Sequence, residues 1–152
     1  ITETEETETL VDSAQEKLEV ELWLASSDGN DLVKETREIA KVEGIARNTI
    51  NELLKGPSPE SNLLPTVPAG TKLNDINVKD DGLIIVDFSK EITDNHIGDP
   101  KAEALTVNSI VKTLCQFPTV KEVQILVDGK YVETLAGNVD VSKVLTPETI
   151  SQ

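Results

Sequence analysis

The chain has 152 residues, enough for one domain with a real core, and carries 38% apolar residues and a formal net charge of -14. Its aromatics are Trp23, Phe88, Phe117 and Tyr131. The core must therefore be built from Ile, Val and Leu. Nucleic acid is excluded as a partner, because binding it needs stacking rings on a basic face rather than a surplus of acids.

The charge is uneven. Glu3, Glu5, Glu6, Glu8, Asp12 and Glu16 place six acids and no base in the first sixteen residues. Of 28 acids, the other 22 face 14 bases, so the remainder of the chain, at -8, is an ordinary acidic domain. Residues 1–16, with their Thr/Glu alternation, read as a disordered acidic tether that has little to bury and repels itself. Residues 17–152 read as a single domain. The chain starts at Ile1 and contains no Met, which suggests a processed or truncated product and leaves a missing signal or anchor open. No stretch reads as a membrane span. Cys115 is the single cysteine, so an intramolecular disulfide is ruled out, but the redox compartment stays open.

Regular structure is predicted from Lys17. Leu18, Val20, Leu22 and Leu24 alternate with Glu19, Glu21 and Trp23, the pattern of a half-buried strand. Asp28-Gly29-Asn30 marks a turn, with a return strand over 31–39. Val42, Ile45, Ala46, Thr49, Ile50, Leu53 and Leu54 follow helical spacing, and Gly56-Pro57 stops the helix. A Pro-rich loop fills 57–70. Strands follow over 71–79 and 83–88, joined at Asp80-Asp81-Gly82; Leu83 to Val86 is apolar on both faces and predicts a central strand. Asp99 caps a second helix with Pro100 in its first turn, running to about 116. Val123, Ile125 and Val127 alternate into the Asp128-Gly129 turn, and a short strand around 130–135 and an irregular C-terminal segment follow. The order ββ-α-ββ-α-ββ specifies an α+β fold, two helices on a mixed, mainly antiparallel sheet.

Chemistry is harder to find. His96, the one histidine, sits in a polar loop and reads as a surface residue, since partners for a triad or a zinc site are missing. Cys115 lies on the apolar helix face, where a thiol packs as a small hydrophobe. Asn74-Asp75, Asp80-Asp81 and Asp94 with Asp99 invite a calcium reading, but no 12-residue loop with the right spacing is present and turn chemistry explains them better. Phosphate-binding glycine motifs are absent. Asn108 and Ser109 fall near the apolar arc of the second helix, so they bond a neighbouring strand or loop or else belong to an interface.

Taken in order, the blocks Leu53-Leu54-Lys55-Gly56-Pro57, Val67-Pro68-Ala69-Gly70-Thr71-Lys72-Leu73, Val86-Asp87-Phe88-Ser89 and Ile110 through Gln116-Phe117-Pro118 to Val127-Asp128-Gly129-Lys130 resemble the GerM domain family of sporulation and spore germination. The resemblance covers about 18–148. It implies a non-enzymatic envelope module, on a secreted protein or lipoprotein with an N-terminal linker, whose fold is similar to the α-β-β-α-β ring-building-motif domains. The hairpin at 18–39 is then an addition. Well-known members carry two copies where this chain has one.

The expectation is thus an extracytoplasmic, envelope-associated protein-interaction domain, possessing no catalytic residues and no cofactor or metal, and capable of forming oligomers. It would meet the membrane only through an N-terminal anchor and would bind a protein partner through Trp23, Asn108 and Ser109. The alternative is a ligand-binding module for cell-wall glycan or a metal ion. Against glycan stands the scarcity of exposed aromatics.

Overall fold

A computed structural model describes residues 17–40 and 44–147. The expectation for the 1–16 tether lies outside the described residues, as does Val42. Strands β1 (Lys17–Ala25) and β2 (Leu32–Ala40) form an antiparallel hairpin in register from Lys17 against Ala40 to Ala25 against Leu32. Asp28 Oδ1 closes its turn, accepting from the Ser26 hydroxyl at 2.6 Å and the Asn30 amide at 3.0 Å. Helix α1 (Ile45–Lys55) follows. A four-stranded sheet then takes β3 (Leu73–Val78), β4 (Leu83–Phe88), β5 (Glu122–Val127) and β6 (Lys130–Tyr131) in that spatial order. Between β4 and β5 lie a single helical turn, α2 (Glu91–Asp94), and the long α3 (Pro100–Leu114).

The α+β class, the six strands and the central position of β4 agree with the sequence. β4 pairs antiparallel with β3 and parallel with β5, which makes the sheet mixed. The segment from α1 to β5 has the order α-β-β-α-β once the short α2 is set aside. Two details differ from expectation. The strands form two sheets rather than one, and α2 adds a helical turn that is too short to show a periodic pattern.

Both long helices lie between the two sheets: α1 touches β1, β2 and β3, while α3 touches β1 on one side and β5 on the other. Ile84, Val86 and Phe88 of β4, Val123 and Ile125 of β5, Leu22 and Leu24 of β1, and Val107, Ile110, Val111 and Leu114 of α3 form one continuous aliphatic core. Such burial contributes about 25 cal/mol per Å² of apolar surface and supplies the main drive to fold.

A hairpin leaves one edge of each strand unpaired, and two strands alone are marginal in water. The free edge of β1 is sealed by α3 and the Pro-rich loop. The Gln116 amide accepts from the Glu21 N–H at 2.9 Å and donates to the Glu21 carbonyl at 2.7 Å. Two residues along, the Thr113 hydroxyl accepts from the Trp23 N–H at 3.2 Å and the Ser109 hydroxyl donates to the Trp23 carbonyl. At Ala25, Leu64 exchanges both backbone bonds, at 3.0 and 2.8 Å. Every outward backbone group at 21, 23 and 25 is thereby satisfied. Ser109, Thr113 and Gln116 stand at i, i+4 and i+7, the spacing that lines one face of a helix.

A second joint fastens β2 to α1. The Arg37 guanidinium bonds Glu35, Glu52 Oε1 at 3.1 Å, the Gly56 carbonyl at 3.1 Å and Ser58 Oγ at 3.1 Å. It thus meets the negative end of the helix dipole, where a cation is stabilising. Gly56, at φ 90° and ψ -174°, occupies a region essentially reserved for glycine, which is why the helix can stop there. Burial pushes the Glu35 carboxyl up, but the Ser58 hydroxyl and Arg37 outweigh it and hold it below its ordinary value.

Replacing Ser109 with Ala leaves the Trp23 carbonyl and the Thr66 hydroxyl without their buried partner. The expected cost is about 1–3 kcal/mol, read as a lower urea midpoint with an unchanged slope. An unchanged midpoint would show that the seal adds nothing to stability.

Candidate functional site

A cleft of about 430 Å³ opens where the tip of the hairpin, the Pro-rich loop and the α2–α3 loop meet the first turns of α3. Ala25 and Gly29 line it from the hairpin, Leu64 to Ala69 from the loop, Asn95, His96, Ile97 and Asp99 from the α2–α3 connection, and Ala102, Leu105 and Thr106 from the helix. The lining is mostly aliphatic. Ile97 is 80% exposed and Leu64 42% exposed at its rim, two of the larger apolar exposures in the domain. A mainly apolar concavity of this size with a few fixed polar groups is the usual form of a binding site.

Polar side chains of α3 build the frame. Thr106 donates its hydroxyl proton to the Thr66 carbonyl at 2.6 Å, with the Ala102 carbonyl at 2.9 Å. The Thr66 hydroxyl donates to Ser109 Oγ at 2.7 Å. Asn95 Nδ2 donates to the Ala69 carbonyl at 2.8 Å. Asp99 accepts from the Ala102 amide at 3.1 Å, the N-cap that the sequence predicts.

His96 is half-buried and clamped at both ring nitrogens rather than lying free on the surface. Its Nε2 lies 3.0 Å from Thr106 Oγ1, and its Nδ1 accepts from the Gly98 amide at 3.1 Å. The Thr106 proton is already given to a carbonyl, so Nε2 must be the donor and Nδ1 the acceptor, which fixes one neutral tautomer. Burial pushes the imidazole below the usual histidine range, against the upward pull of the Glu103 and Asp99 carboxylates.

Below the cleft, Glu103 is fully buried on α3. Its Oε2 accepts from the amides of Leu135, Ala136 and Val139 at 3.0–3.2 Å, and its Oε1 from the amide and side chain of Asn138 at 2.9 Å each. Asn138 Nδ2 also donates to the Gly98 carbonyl at 3.0 Å. Glu103 therefore pins the segment after β6 against the helix and, through Asn138, steadies the cleft loop. Burial pushes its carboxyl up, and the donated amides overcome this and hold it below its ordinary value.

The sequence-predicted interaction residues part company here. Ser109 is fully buried and bonded inside the domain, so it is not part of an outer surface; this corrects the expectation, because its hydroxyl is consumed in sealing β1. Trp23 is half-buried, with the Lys112 ammonium 5.2 Å from its ring centroid. Asn108 is half-buried on the flank of α3. Glu103 escaped the sequence reading, although an acid four residues before Val107 and seven before Ile110 was the available signal. Among the described residues, no group of three or more His, Cys, Asp or Glu is placed to hold a metal ion.

The fold and its added hairpin define an α+β domain of ring-building-motif type. The chain belongs to the family described as sporulation and spore germination (Germane), whose profile matches residues 21–133. It is 39% identical over 84 residues to the spore germination protein GerM of Bacillus subtilis (strain 168), an alignment that takes in 53% of this chain and 22% of that protein. The chain thus spans less than a quarter of the curated relative. Among solved structures it is similar to a Clostridium perfringens protein designated a candidate lipoprotein (31% identity, TM-score 0.63, 87% of this chain and 89% of that one). It is also similar to the first GerMN domain of the sporulation protein GerM from Bacillus subtilis (27% identity, TM-score 0.73, 86% and 98%). The tandem GerMN domains of the same protein share the fold (24% identity, TM-score 0.75, 88% and 48%).

Replacing Glu103 with Ala strands the amides of Leu135, Ala136, Asn138 and Val139, and the expected loss exceeds about 3 kcal/mol. Glu103→Gln gives a sharper test. A depressed folded-state pKa stabilises above the unfolded value and is lost as pH falls, so the stability gap between wild type and Glu103→Gln should narrow below about pH 4.5, the ordinary glutamate value. Thermal melts between pH 7 and pH 3 check this; a gap that stays constant would overturn the charged-acceptor role.

Proposed function

We propose that this chain is a non-enzymatic, extracytoplasmic protein-interaction domain, anchored to the cell envelope from its N-terminal side and serving a sporulation or spore-germination assembly. The observation that carries the docking part is the aliphatic cleft, with Ile97 and Leu64 exposed on its rim above a fully bonded polar frame. Family membership supports the sporulation setting, and the similar candidate lipoprotein supports an envelope address. The acid-rich first sixteen residues suit a solvated linker between anchor and domain. No helix among the described residues is long and apolar enough to cross a membrane. The partner is a protein, and the surplus of acids disfavours nucleic acid.

Trp23 remains a secondary contact candidate, with its ring shared between Lys112 and solvent. A second groove, walled by Gly44 to Arg47, Ile76, Val78 and Phe117 to Val120, lies at the edge strand β3. Photo-crosslinking in sporulating cells separates these surfaces. A crosslinker at position 97 or 64 is expected to give an adduct with a defined envelope protein that Ala102→Arg, which fills the cleft, abolishes. Adducts from position 23 or 78 alone would move the docking surface elsewhere and overturn the cleft as its site.

A further inference from the structure

We propose that His96 is a pH-sensitive latch on the cleft: neutral, it locks the α2–α3 loop in place, and protonated, it releases that loop and the exposed Ile97. This inference rests on the cleft as the docking site and names how that site is regulated.

The latch is one hydrogen-bond chain across three separate walls. The Gly98 amide donates to His96 Nδ1 at 3.1 Å, His96 Nε2 donates to Thr106 Oγ1 at 3.0 Å, and Thr106 donates to the Thr66 carbonyl at 2.6 Å. Gly98 is held from its other side by Asn138 Nδ2 at 3.0 Å, and Asn138 is itself bonded to Glu103. The imidazole thus ties the α2–α3 loop to α3 directly, and Thr106 and Gly98 extend the chain to the Pro-rich loop and to the segment after β6. A second ring proton would sit on Nδ1 and face the Gly98 N–H, two donors against each other with no acceptor between them. The bond through Nε2 survives protonation, so the change is confined to the Gly98 side. Gly98, at φ +83° with open space where a Cβ would stand, is the residue on which the loop can swing.

The charged groups facing the ring are the carboxylates of Asp99, at the cap of α3, and Glu103. Asp94 ends α2, and Asp28 and Asp31 flank the turn glycine Gly29 that lines the cleft. The Leu63–Pro68 stretch and the Leu135–Val139 segment bring no titratable side chain. Carboxylate titration as a class lies below the range of an imidazole, and His96 is the only histidine. A step between pH 7.5 and 5 that disappears in His96→Gln therefore belongs to His96. The direction follows from linkage: the closed latch resists the proton, the open one accepts it near the ordinary value of 6.5, so acid favours opening and neutrality favours closure.

The test uses the full chain, without a partner, so that it stands whether or not the crosslinking reading holds. Long-range proton–nitrogen spectra of the ring should show the Nε2–H tautomer at pH 7.5 and a midpoint below 6.5. The Gly98 amide signal should move in step with that titration. Its opening constant, taken from exchange rates normalised for intrinsic pH dependence, should rise by up to about tenfold per pH unit across the linked window. The core amide of Ile84 should stay unchanged, and His96→Gln should abolish the step at Gly98. An Nδ1–H tautomer, a Gly98 signal that ignores the ring titration, or the same step in His96→Gln would each overturn the latch. If His96→Gln is unfolded, the wild-type ring and Gly98 titrations decide alone. Where the cleft also docks the partner, crosslinking from position 97 should fall several-fold from pH 7.5 to pH 5.5 in the wild type and not in His96→Gln; equal falls in both would overturn the link to docking.

Discussion

The domain depends on the sealing of β1. Half of the polar backbone groups of this strand point away from β2, and leaving them unpaired inside a core would cost about 1–3 kcal/mol each. Those of Glu21, Trp23 and Ala25 are met by Gln116, Thr113, Ser109 and Leu64. That requirement puts small hydroxyl residues along one face of α3 and an amide just past its end, next to the aliphatic face that meets β5. The helix is consequently buried on two sides, and the hairpin becomes part of the single core instead of an appendage. The bridge between Ala25 and Leu64 then fixes where the Pro-rich loop runs, and the cleft is formed because that loop is held there.

Irregular segments elsewhere are held by the same device: one side chain collecting backbone groups from a distant stretch. Arg37 gathers the end of α1, Glu103 gathers four amides after β6, and His96 with Asn138 clamps Gly98. A charge buried this way is stable only when its bonds are complete, and one lost partner leaves it uncompensated. The cleft inherits this property. Its walls come from segments far apart in sequence, and its shape is set by hydrogen bonds that can be made or broken by a proton.

The sequence blocks that carry the family resemblance are joints between elements. Ser89 of the Val86–Ser89 block exchanges bonds with Lys72 of the Thr71–Leu73 stretch, its hydroxyl accepting at 2.9 Å and its amide donating at 2.8 Å. Asp87 accepts from the Gly129 amide at 2.8 Å, and the Asp128 amide donates to the Phe88 carbonyl at 2.8 Å. Gly56 and Ser58 receive Arg37. Segments up to about forty residues apart thus specify one another, and the exposed cleft rim at Ile97 falls outside these blocks.

The alternation of Leu18 to Leu24, the β4 run, the Asp99 cap and the turn residues were sufficient to determine the strands, the helix starts, the α+β class and the family, because each is set by local geometry and periodicity. Helical spacing left Ser109 between a bond inside the domain and an interface, and only the presence of β1 beside α3, with the Trp23 carbonyl taking its hydroxyl, turns it inward. Likewise His96 read as a surface residue until folding set Thr106 against its ring, and the role of Glu103 emerges only when the amides of 135–139 reach its carboxylate. What a strand or cap needs lies within a few neighbouring residues, and so it can be read from the residue pattern alone. What seals an edge or frames a cleft comes from residues tens of positions away, and it becomes legible once the folded chain sets them side by side.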